Sequence, residues 1–181
     1  MKEMKKCLIL IAVCATLWSL GGSAVSWGAD AQPATFDPPA GHELAFTLRA
    51  SGVQIYECKA KKDNSAQFEW VFKAPEADLF DPDGKKVGSH FKGPTWKAND
   101  GSSVVGEKPK SYVKDTNAIP WLLLDVKQHE GTGIFSKVTS IQRVDTVGGK
   151  APAGGCDAAS VGKEIRVPYT ANYRFYVTHK S

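Results

Sequence analysis

The segment "YTANYRFYVT", Tyr169 to Thr178, decides the fold class. Tyr169, Ala171, Tyr173, Phe175 and Val177 fall at every second position, so an extended chain turns all five to one face and Thr170, Asn172, Arg174 and Thr178 to the other. A helix would scatter them around its axis. The same period recurs upstream. "ELAFTLRA" alternates Leu44, Phe46 and Leu48 with polar neighbours, "VQIYECK" sets Val53 and Ile55 against Tyr56 and Cys58, and "QFEWVFK" repeats the pattern with Phe68, Trp70 and Phe72.

Turn chemistry separates these runs. "DPDGK" (81–85) and "NDGS" (99–102) supply Asp-Gly pairs where tight hairpins need positive φ. The Asn-Asp-Gly turn is expected to be tighter than the "EGTG" connection at 130–133, so that Gly101→Val should cost more stability than Gly131→Val. "IPWLLLDV" contains Pro120, which excludes a central-strand place for itself but allows Trp121 to Val126 a buried strand, and "FSKVTSIQRV" is β-branched enough for another. "TVGGKAPAGGCD" reads as the one long irregular loop, and "KPKSYVK", Lys108 to Lys114, as a solvated loop. No long capped helical period and no internal repeat occurs. The expectation is an all-β, single-domain antiparallel β-sandwich or barrel of about eight to ten strands with little or no helix.

The N-terminus has a different character. Lys2, Lys5 and Lys6 precede an apolar stretch from Cys7 to Leu20 and then small residues, the layout of a secretory signal cleaved somewhere between residues 24 and 31. An uncleaved anchor is the alternative, although the stretch is short for a membrane span. Residues 32–41, "QPATFDPPAG", hold three prolines and read as an extended lead-in to a β domain over 42–181. Of 23 basic and 19 acidic side chains in the 181-residue chain, three lysines and two acids leave with residues 1–31, so the mature chain carries a formal +3. That is too weak and too evenly spread to argue for nucleic acid or for an anionic membrane surface. The mature chain also keeps two of four cysteines, Cys58 and Cys156. In an exported protein the pair implies a disulfide, which would pin the Gly-rich loop to the strand carrying Cys58 and remove about 4 to 5 kcal/mol of loop entropy from the unfolded chain.

Chemistry is sparser. "DLFDPDG" fails as a calcium loop, because setting Gly84 at the invariant glycine puts Leu79 and His90 where acidic ligands belong. "GTGIFS" lacks the third glycine of a dinucleotide fingerprint, and "SYVK" has no companion motif of a serine acyltransferase. His42, His129 and His179 share no spacing that assembles a metal site, and no cofactor is implied. The concentrated stretch is "GSHFKGPTWKANDGSSVVGE", 88–107, with His90, Trp96, Asp100 and Glu107 among its turns. His90 titrates near neutrality in the free residue and suits a general base or ligand, but equally a satisfied sheet histidine. Trp96, like Trp70 and Trp121, can floor a pocket or fill a core.

Together "YEC", "ADLFDPDGKKVGSHFKGPTWKANDGSSVVGE", "IPWLLLDV", "VTSIQRVDTVGGKAPAGGCD" and "YTANYRFY" resemble the secreted bacterial and fungal family catalogued as domain of unknown function 3455. The resemblance runs from about His42 to Val177, with G-x-H-x-x-G-P-x-W and Gly-Gly-x-x-Pro-x-x-x-Cys as its distinctive stretches. It implies that His90, Gly93, Pro94, Trp96, Asp100 and Gly101 form a shared surface, and it supplies no mechanism. Some fungal relatives carry a dehydrogenase label, and the missing nucleotide fingerprint speaks against transferring it. The expected function is a small-molecule or glycan-binding module using His90, Trp96, Asp100 and Glu107. The alternatives are an enzyme with His90 as acid/base beside Asp100 or Glu107, and a structural envelope protein with no small ligand.

Protein recovered after export is expected to lack the N-terminal segment by intact mass and to release no thiol when denatured without reductant. Two titratable thiols would rule out the Cys58–Cys156 pairing.

Overall fold

A computed structural model describes residues 36–178. The expected signal segment, the first lead-in residues and His179 lie outside the described residues. Eight strands run β1 (His42–Ala60), β2 (Phe68–Phe80), β3 (Lys86–Phe91), β4 (Thr95–Ala98), β5 (Ser103–Tyr112), β6 (Trp121–Glu130), β7 (Ser140–Gly148) and β8 (Glu164–Thr178). Each pairs antiparallel with the next, and β8 pairs with β1, from His42↔Thr178 to Glu57↔Glu164, so the sheet closes into an up-and-down barrel. Of the two architectures left open by strand periodicity, the barrel is the one formed. The described helix is a single 3-10 turn at Ala158–Ser160.

Alternation determines the interior. Leu48 and Ala50 on β1, Ala77 and Leu79 on β2, Trp96 and Ala98 on β4, Leu124 on β6, Ile141 on β7, and Tyr169, Ala171, Tyr173 and Phe175 on β8 form one buried cluster. The one face read in "YTANYRFYVT" is therefore the barrel lining. Outward faces carry charged pairs such as Arg166–Glu76 (2.9 Å) and Lys86–Asp78 (2.7 Å). A smaller cluster lies outside β6 and β7, where Phe36 of the lead-in packs on Leu123 and Val144 and accepts a 2.9 Å bond from buried Gln142 through its carbonyl.

The two barrel ends differ. At one end the 131–139 loop inserts Phe135, which lies 4.9 Å from Phe175 and 5.9 Å from Phe46, ring centre to ring centre. The loop is held by Asp100, whose carboxylate accepts from Ser102 N (2.8 Å), Ser102 Oγ (2.6 Å) and Ile134 N (2.8 Å). At the other end lie the 92–94 turn and the loops 113–120 and 149–163. The last of these is bound to β1 by the Cys58–Cys156 disulfide, by Tyr56 Oη donating to Gly149 O (2.7 Å), and from β2 by Trp70 Nε1 donating to Gly154 O (2.9 Å).

Two local expectations change. Lys108 to Tyr112 belongs to β5 rather than to a loop, and Pro109 is tolerated because the register shifts between Glu107 and Lys110, leaving no ladder bond for it to break. The second concerns the glycines. Gly101 (φ +92) has open space where a Cβ would stand, whereas Gly131 (φ +71) would set a Cβ 2.7 Å from the backbone oxygen of Gly101. Both positions are left-handed, so Gly131 carries an added clash, and the order expected from turn chemistry reverses. Gly131→Val should melt lower than Gly101→Val, with strain of about 1 to 3 kcal/mol common to both and the clash on top. Equal melting temperatures would contradict this.

Candidate functional site

The β3–β4 hairpin sets His90 directly opposite Trp96, so both side chains share the inward face. Their rings stack with centres 4.3 Å apart and planes 15° from parallel. Tyr173 meets both edge-on, at 5.0 Å from His90 and 5.3 Å from Trp96. The turn that makes this possible is Lys92-Gly93-Pro94, where Gly93 takes φ +119 and Pro94 O accepts from Gly106 N at 3.0 Å. Gly106 in turn faces inward, since a Cβ there would stand 3.1 Å from the Trp96 ring. The glycine leaves the indole its room.

His90 is buried, and its Nδ1 lies 2.9 Å from Thr95 O. A carbonyl only accepts, so Nδ1 carries the proton and Nε2 is an acceptor. Burial, with a smaller push from the Arg143 charge and against the pull of the Thr95 carbonyl, lowers the imidazole from 6.5 to about 3. The ring is neutral at physiological pH. Tyr173 and Tyr169 place their hydroxyls 3.5 Å apart, and burial raises both above the ordinary phenol value, so they too are uncharged.

Beside this aromatic group is a cavity of about 250 Å³ at the disulfide end of the barrel, lined by His90, Trp96 and Tyr173, by Arg143 of β7, by Leu122 and Leu124 of β6, and by Phe72, Pro75, Pro94 and Pro109 nearer the mouth. Lys73 and Lys92 stand at its rim, and no aspartate or glutamate lines it. Arg143 is buried, and its Nε and Nη2 both donate to Pro120 O, at 3.2 and 2.8 Å.

Of the four candidates, the structure brings His90 and Trp96 together and leaves the other two apart. Asp100 is at the opposite end of β4, where the Ser102 hydroxyl and the amides of Ile134 and Ser102 hold its carboxyl below the ordinary value. Glu107 pairs with Asp125 across the β5–β6 ladder, next to inward Gly106 and Leu124, and so faces outward. Eight of the lining residues fall outside 88–107, and two of them, Tyr173 and Arg143, bear on the site's chemistry. Tyr173 was already on the inward face of β8, but Arg143 needed parity counting along "SIQRV": with Ile141 inward, so is Arg143. Among the described residues no three of His, Cys, Asp and Glu lie close enough to hold a metal ion.

The lowered value of His90 links stability to pH. Between about 6.5 and about 3 the unfolded imidazole is protonated and the folded one is not, so stability falls as pH falls through this window, by up to about 1.4 kcal/mol per pH unit from this residue. Denaturant titrations of wild type and His90→Phe should diverge below pH 6.5. Parallel curves would mean that the folded imidazole accepts a proton at its ordinary value.

Neither a curated protein sequence nor a solved structure matches the chain. One family model does, over residues 39–177, which takes in all eight strands but for the final Thr178 of β8, the disulfide pair Cys58 and Cys156, and all the cavity residues. The chain belongs to the family described as "Protein of unknown function (DUF3455)".

Proposed function

We propose that this protein is an exported small-molecule-binding barrel that receives its ligand in the cavity at the disulfide end. The observation that carries the reading is the pairing of a plugged end with a hollow one. An eight-stranded barrel has just enough room for its own side chains or for one small ligand, and here Phe135 plugs the core at one end while a cavity of about 250 Å³ lies beside His90, Trp96 and Tyr173 at the other. Apolar walls with a few convergent polar groups are the usual chemistry of a ligand pocket. The volume suits a ligand of one or two rings. A glycan platform would need exposed flat aromatics, whereas Trp96 is 1% exposed.

Acid/base catalysis by His90 is less well supported. Burial lowers its imidazole to about 3, so it stays uncharged across the range in which a general base must take up a proton, and neither Asp100 nor Glu107 is within reach to orient it. The disulfide is compatible with an oxidising compartment, and among the described residues no helix is long and apolar enough to cross a membrane.

A ligand that binds only the folded barrel must raise its melting temperature. In a panel of small aromatics, aliphatic acids and sugars, compounds of one or two rings should give the shifts, and Leu122→Trp, which fills the cavity from β6, should abolish them. Shifts that survive Leu122→Trp, or a panel in which only oligosaccharides act, would defeat the reading.

A further inference from the structure

Resting on the cavity as the ligand site, we infer that its ligand is a small aromatic monocarboxylate, whose ring lies among the apolar walls and whose carboxylate pairs with Arg143. Arg143 is the reason. Its side chain is 8% exposed, it carries a permanent positive charge, and among the described residues no carboxylate lies within ion-pair distance of it. Two of its five N–H groups share one carbonyl oxygen, that of Pro120. A buried guanidinium whose partners are the Pro120 carbonyl and the neutral Tyr173 hydroxyl is a costly arrangement, since desolvation is repaid only by a close counter-charge.

The surroundings do not provide that counter-charge. The titratable groups that feel Arg143 from the neighbouring strands are Tyr56 on β1, His90 on β3, and Tyr169 and Tyr173 on β8. Burial keeps every one of them neutral. The charged residues at the rim are Lys73, which pairs with Glu164, and Lys92, both of the same sign as Arg143. Donors without acceptors accumulate too: Trp96, in the same wall, has its indole N–H buried with no hydrogen-bond partner. An anion rich in acceptor oxygens answers the guanidinium and the other donors at once.

Charge balance and size narrow the class. One buried cation neutralises one negative charge, so a phosphate dianion would leave a surplus in an apolar enclosure, while a carboxylate leaves none. About 250 Å³ bounded by Leu122, Leu124, Pro75, Pro94 and Phe72 holds a ring system and excludes a long chain.

Calorimetric titration of the purified protein at pH 7 with 2-naphthoate and with its uncharged analogue 2-naphthalenemethanol tests this. The acid should bind at least ten times more tightly than the alcohol. R143M should abolish that preference while keeping affinity for the alcohol, and inorganic phosphate should not displace the acid. Equal affinities in the wild type, or an acid preference that survives R143M, would overturn the inference and leave the cavity as a site for neutral ligands. Binding of neither compound would defeat the cavity reading itself. If R143M does not fold, the wild-type ratio decides alone, and a ratio below two overturns the proposal.

Discussion

Closure of β8 on β1 is the constraint from which the rest follows. The ladder from His42↔Thr178 to Glu57↔Glu164 leaves no strand edge unpaired, and it limits the interior to what eight strands can enclose. Every second residue is then committed to that interior whatever its polarity. This is how Arg143 and His90 come to stand among tyrosines and leucines: each shares inward parity with an apolar neighbour two residues away, Ile141 in one case and Gly88 in the other.

The interior is treated differently at its two ends. At the Phe135 end a loop supplies the plug, and Asp100 fastens that loop by accepting from both sides of the gap between the 99–102 turn and Ile134. A carboxylate so committed is architectural. At the other end the long Gly-rich loop is tethered to β1 through Cys58 and to β2 through Trp70, and none of its residues lines the cavity. Gly106 and Gly93 keep the opposite side clear, one by yielding space to Trp96 and the other by letting the β3–β4 hairpin turn.

Electrostatics give the hollow end its character. Burial holds His90, Tyr169 and Tyr173 neutral, so the Arg143 charge faces the cavity with nothing of opposite sign beside it. In a low-dielectric enclosure such a charge is felt strongly by whatever enters. A histidine at this position acts as a stacked, neutral wall rather than as a titrating group. That is the reverse of what its free-residue chemistry suggests.

Strand identity, the antiparallel class and the Cys58–Cys156 pairing were all legible in the amino-acid order, because period-two alternation, Asp-Gly turns and an even cysteine count are local signals. The shared face of His90 and Trp96 follows from the β3–β4 register, which sets them opposite each other across the Gly93-Pro94 turn. Several things lay beyond local reach. Barrel or sandwich depends on whether the first strand meets the last, a contact between residues more than a hundred positions apart. Pro109 hid the continuation of β5, since only the bulge reveals that no ladder bond is lost. Asp100 and Glu107 looked like partners of His90 because they are near it in the chain, but one lies at the far end of β4 and the other on the outer face of β5. Arg143 stands 53 positions from His90 in the sequence and beside it in the cavity wall. Linear order by itself determined which residues face inward, since that is a property of each strand; only closure of the barrel decided which inward residues meet, because that depends on the strands arranged around them.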